Sequence, residues 1–178
     1  MAPRIFEFGT PDRFVAAAVG EPGRRTFYLQ ARQGTAMLTV GLEKTLLAAL
    51  TARMADLLEL AAIPSDPSER PAAGRDDDPL QQPIAEAFRV GALALAWDAE
   101  AARVVIEAQP VDPETEPEGS EGSEREAADL LRVRIDVAAA RDFVRRAAGL
   151  VAAGRPLCPF CGQALDASGH FCPRLSLN

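Results

Sequence analysis

Histidine is almost missing from this chain: His170 stands alone in 178 residues. Once it is given to another task, no base is left for a Ser-His-Asp or Cys-His centre. Lysine is equally scarce. Lys44 is the single one and follows no glycine-rich loop, so a P-loop is excluded, and no G-x-G-x-x-G occurs. No apolar run approaches the roughly 18 residues that a spanning helix needs, which argues against a membrane protein. Residues Met1 to Ile5 carry one arginine and no apolar h-region, so a secretory leader is not expected. Cysteine is limited to three, an odd number that a disulfide would leave with one unpaired thiol. These absences together point to a reducing, cytoplasmic setting and away from the commonest enzyme classes.

The residues that are scarce are also clustered. Cys158-Pro-Phe-Cys161-Gly is followed by Gly169-His170-Phe171-Cys172-Pro173, giving C-x2-C-x8-H-x-C. Four soft or borderline donors suit a structural Zn²⁺, which is tetrahedral and fully occupied by protein ligands, with no open position for catalytic water. Glycine after the second cysteine lets backbone N–H groups approach the thiolates. Zinc held by Cys158, Cys161, His170 and Cys172 is therefore the expected cofactor. A redox dithiol fits less well, because the βαβ pattern that accompanies a thioredoxin-type motif is absent.

The net charge of −7 is concentrated. Residues 111–129 hold eight acids and one arginine, and residues 64–83 hold five acids and two arginines among five prolines. Setting both stretches aside leaves thirteen acids against sixteen bases. Both read as acidic linkers, too poor in apolar surface to offset the entropy of ordering.

Outside the linkers the pattern repeats. Runs 4–8, 13–19, 26–32 and 36–42 read as strands, with Glu21-Pro22-Gly23-Arg24 as the turn of a hairpin. A helix starts near Glu43, its apolar stripe comprising Leu46, Leu47, Leu50, Met54, Leu57, Leu58 and Ala61. Runs 88–97, 103–108 and 130–135 are again strands. A second helix follows from about Asp136, with Ala140, Phe143, Val144, Ala147, Leu150 and Val151 inward and Arg141, Arg145 and Arg146 on a wet face. The expected fold is α+β: antiparallel sheets from two strands-then-helix repeats, four strands and then three, with a C-terminal zinc knuckle. The repeats span 4–62 and 84–153 of a domain covering 1–154, and the knuckle spans 155–178.

Arginines supply the candidate binding surface. Arg24 and Arg25 flank the hairpin turn, Arg13 and Arg32 lie on the adjoining strands, and Tyr28 shares a face with Arg32. Arg132 and Arg134 sit on the outward face of the last strand and extend the same surface. Such a patch holds phosphates and stacks bases in single-strand binders. Two strands-then-helix units resemble Whirly and PUR-repeat architectures, with Arg25-Thr-Phe-Tyr-Leu-Gln-Ala-Arg-Gln as the local likeness to a PUR strand. That resemblance implies single-stranded nucleic acid as a possible partner.

A second resemblance covers nearly the whole chain. Pro11-Asp12-Arg13-Phe14 running into Val19-Gly20-Glu21-Pro22-Gly23-Arg24-Arg25-Thr26-Phe27-Tyr28, together with the tail from Gly154 to Arg174, is similar to an uncharacterised actinobacterial family catalogued as domain of unknown function 3090. That likeness implies the C-terminal metal motif and no activity. The leading expectation is a non-enzymatic, zinc-containing binding or adaptor protein with a protein partner. Single-stranded nucleic-acid binding is the alternative, and an enzyme with a phosphate pocket near Arg13 and Arg24 ranks below both.

Overall fold

A computed structural model describes residues 4–21, 23–60, 76–111 and 129–153. In chain order they form β1 (Ile5–Phe8), β2 (Arg13–Val19), β3 (Thr26–Gln33), β4 (Ala36–Leu42), α1 (Lys44–Leu60), β5 (Glu86–Asp98), β6 (Arg103–Pro110), β7 (Leu130–Ile135) and α2 (Val137–Ala152). The expected pair of antiparallel sheets is overturned. All seven strands join one mixed sheet in the order β1-β7-β6-β5-β4-β3-β2. The expected knuckle at 155–178 lies outside the described residues.

Two parallel pairings make the difference. β1 leaves the strands that follow it and runs parallel to β7, with Ile5 opposite Leu130 and Phe8 opposite Val133. Arg4 fastens that edge, donating from Nη2 to Asp129 Oδ2 at 2.7 Å. β4 and β5 are also parallel, joined through Thr39–Glu86 and Gly41–Arg89, and this pairing fuses the two halves. Parallel neighbours need a long crossover, which α1 and the stretch after it supply. Alternation in sequence specifies which face of a strand is buried and says nothing about its neighbour.

Local chemistry accounts for the turns. Gly23 takes φ +94°, and the Arg24 N–H donates to Glu21 O at 2.9 Å, as a turn with glycine at its third position requires. Asp136 caps α2, its side chain accepting from Ala139 N at 2.8 Å.

Both helices cover one face of the sheet and pack on each other, α1 over β5 and α2 over β2. The core between them contains Phe14, Phe27, Leu29, Val40, Leu42, Ile106, Leu131, Val133, Leu47, Met54 and Phe143. Phe14 of β2 stacks on Phe143 of α2, with ring centroids 5.0 Å apart and planes 10° apart, a contact worth about 0.5–1.5 kcal/mol beyond its burial. The opposite face is covered at its β2–β3 end by residues 76–84, where Leu80 packs on Val15 and Ala17 with Tyr28 and Ile84 at the margin.

Candidate functional site

Along α1, Arg53, Asp56, Leu57 and Leu60 are spaced so that they share one side of the last two turns. On β5, Leu95 and Trp97 are two apart and so share a face. Together these six residues line an open groove of about 490 Å³, apolar along its floor and charged at Arg53 and Asp56. Leu60 is 85% exposed at its end, an unusual position for a large apolar side chain.

A bulge aims the β5 half of this groove. Register shifts between Val90 and Ala92, so the buried parity changes from Val90 to Leu93, Leu95 and Trp97. Gly91 permits it. A Cβ there would stand 2.6 Å from Val111 Cα, where the Val111 N–H donates to Arg89 O at 2.9 Å. Without the shift, Leu95 and Trp97 would face away from α1 and the groove would not exist.

The arginines singled out by sequence reach different ends. Arg13 grips Asp76 with two prongs, Nε to Oδ2 at 2.5 Å and Nη2 to Oδ1 at 2.8 Å, and also donates to the carbonyls of Asp78 and Pro79. Its side chain is 12% exposed, so its donors are already spent within the chain. Arg24 is exposed at the hairpin turn, while Arg25 donates from Nη1 to Ala153 O at 3.0 Å and closes the end of α2. Tyr28 packs beside Leu80 and Ile84. Arg32 stands opposite Arg13 across the β2–β3 pair, with its Nε buried and without a partner among the described residues. Arg132 pairs with Glu107 at 2.7 Å and Arg134 with Glu7. Thus Arg13, Tyr28 and Arg32 share the face away from the helices. Arg132 and Arg134 share that face too, but β4, β5 and β6 intervene, separating the two groups by roughly 20 Å at strand spacing.

Arg146 is the residue that sequence reading misplaced. It sat on the expected wet face of the second helix, yet its side chain is 11% exposed. Nε donates to Ala16 O of edge strand β2 at 2.7 Å, Nη2 donates to Asp78 O at 2.7 Å, and Nη1 donates to Asp76 O. The guanidinium therefore closes the open edge of β2, a role that charged groups often take on sheet edges. Burial holds the Arg146 pKa below its ordinary value, against the opposing pull of Asp76. Hydrogen bonding from Arg13 holds the Asp76 carboxyl below the usual carboxylate range. Helical periodicity gave no hint of this, because β2 and the Asp76–Asp78 stretch are distant from α2 in sequence.

Cys158, Cys161, His170 and Cys172 all lie outside the described residues. Among the described residues no group of three or more His, Cys, Asp or Glu side chains is placed to hold a metal ion, and no helix is long and apolar enough to cross a membrane.

Comparison with known families is decisive on kinship. The chain matches, over residues 6–172, the family described as a protein of unknown function, DUF3090. It belongs to that family. The DUF3090 match takes in every described element from Phe6 onward and ends at Cys172. No curated protein and no solved structure matches the chain.

Proposed function

We propose that this DUF3090 protein is a non-enzymatic binding or adaptor module whose ligand is another protein. One observation carries the reading: the groove between α1 and β5, with Leu57, Leu60, Leu95 and Trp97 along it and Arg53 and Asp56 at its rim. A volume of about 490 Å³ is within the range of ligand sites, and an open apolar trough with a tryptophan suits the apolar face of an amphipathic segment. The charges at the rim suit register and orientation more than affinity. Single-stranded nucleic acid is supported less, because Arg13, Arg132 and Arg134 are paired with carboxylates of the same chain.

A structural zinc in the C-terminal tail is part of the proposal. Its support is the C-x2-C-x8-H-x-C spacing and the reach of the family match to Cys172. A cytoplasmic location and an actinobacterial source rest on the sequence pattern in the same way.

Leu95→Asp tests the groove. It places a charge in the trough at a partly exposed position, so the fold should survive. Binding partners captured by the wild type should be lost by this variant and by Trp97→Ala, with thermal unfolding changed by only a few degrees. Capture that is indifferent to both substitutions would move the binding surface elsewhere.

A further inference from the structure

Residues 76 to 81 lie on the fold in the manner of a bound peptide. Among the described residues their hydrogen bonds to the rest of the molecule run through side chains. Arg13 holds the Asp76 carboxylate and the carbonyls of Asp78 and Pro79. Arg146 takes the carbonyls of Asp76 and Asp78, and Arg145 pairs with Asp77. Gln30 donates from Nε2 to Gln81 O at 3.0 Å and accepts from Gln81 N at 2.9 Å. A buried amide that satisfies both backbone groups of one residue is a way of reading an extended backbone. Thr39 Oγ1, accepting from Gln30 Nε2 at 3.0 Å, fixes the amide's orientation.

One side chain supplies the apolar anchor. Leu80 is buried against Val15 and Ala17, with Tyr28 and Ile84 beside it. The groove thus specifies an aspartate, a run of backbone carbonyls, a leucine four residues later and then a residue whose backbone N–H and C=O are both free to bond. None of these contacts depends on the peptide being continuous with the chain.

We propose that this groove on the sheet face away from the helices is a peptide-recognition site, closed here by the chain's own Asp76–Gln81 segment, and that its partner is an acidic extended segment of another protein with an aspartate four residues ahead of a leucine. Charge complementarity argues for that chemistry. Arg13, Arg145 and Arg146 converge on Asp76-Asp77-Asp78, and an apolar or basic peptide would leave two nearly buried guanidiniums unpaired. Arg32 adds a donor beside Arg13 whose Nε has no partner among the described residues, which a further acid of an incoming peptide would satisfy. The site is separate from the α1–β5 groove, which lies on the helix face.

The test uses the full chain and a fluorescein-labelled peptide of residues 76–84. Asp76→Asn with Leu80→Ser releases the internal segment, and this variant should bind the peptide at least tenfold more tightly than the wild type. Adding Gln30→Leu should remove at least tenfold of that affinity, and a peptide with leucine moved by two positions should bind at least tenfold more weakly. A folded, monomeric released variant that binds no better than the wild type overturns the proposal. A wild-type chain that passes into a dimer with these segments exchanged, resistant to added peptide, overturns the claim of a foreign partner. If the double variant does not fold, amide exchange of the wild type decides. Gln81 N–H exchanging at least tenfold faster than the Leu29 and Val40 amides supports a segment that leaves its groove while the sheet stays intact. Exchange of Gln81 only together with the sheet overturns it.

Discussion

Replacing Arg146 with methionine should cost about 3 kcal/mol of folding stability. Methionine keeps an apolar stem of similar length and removes the guanidinium. Three hydrogen bonds are then lost, to Ala16 O, Asp78 O and Asp76 O, although Asp78 O keeps a second donor in Arg13 Nη2. Hydrogen bonds involving a charged group contribute about 1.5–3 kcal/mol each, and a buried acceptor left unmet costs about 1–3 kcal/mol. Water can reach the outer carbonyls once the arginine is gone, so the three do not sum in full, and about 3 kcal/mol is the central expectation. For a chain of this size that corresponds to a fall in Tm of about 6–12 °C. Urea unfolding followed by circular dichroism measures it, with exposed Arg24→Met as the control, expected to stay within about 0.5 kcal/mol. A loss below about 0.5 kcal/mol for Arg146→Met would refute the reasoning, because the edge of β2 would then be satisfied equally well by solvent.

Other outcomes follow from the same geometry. Gly91→Ala should destabilise by more than about 1 kcal/mol, since the new Cβ meets the Val111 backbone at 2.6 Å, and urea melts check it. Gly149→Ala, with nothing within 4 Å of its Cβ on α2, should stabilise by about 0.5–1 kcal/mol in the same assay. Asp76, whose folded pKa is lowered, contributes stability that is fully present above the unfolded value of about 3.9 and lost as pH falls through the folded value. Asp76→Asn should therefore be less stable than the wild type at pH 7, and the gap should close below about pH 3.9, as melts across that range would show. Elemental analysis of protein purified without chelator should return one zinc per chain, abolished by Cys161→Ser, and a metal-free wild type would remove zinc from the account.

Much of the element list was legible in the sequence, and the arrangement was not. Leu38, Val40 and Leu42 alternate in β4, as do Leu131, Val133 and Ile135 in β7, and each set faces the helices. Phe143 and Ala147 were readable as the buried stripe of α2 by the same reasoning. Pairing obeys long-range contacts that alternation does not encode, so the parallel β1–β7 and β4–β5 contacts were missed. Leu80 is a lone apolar residue in an acidic, proline-rich stretch, and its seat is assembled from β2 and β3. The groove was half visible, since Leu57 lay in the expected stripe of α1. Trp97 joins it only because the bulge at Gly91 reverses the parity of β5.

Protein binding through the α1–β5 groove is tested most directly by a photo-crosslinking residue placed at Leu60, which is 85% exposed at the mouth of the trough, in cells that make the protein naturally. The account predicts a crosslinked species of discrete mass that is sensitive to protease, resistant to nuclease and lost when Leu95→Asp is added. A nuclease-sensitive adduct, or a crosslink that persists unchanged with Leu95→Asp, would contradict it.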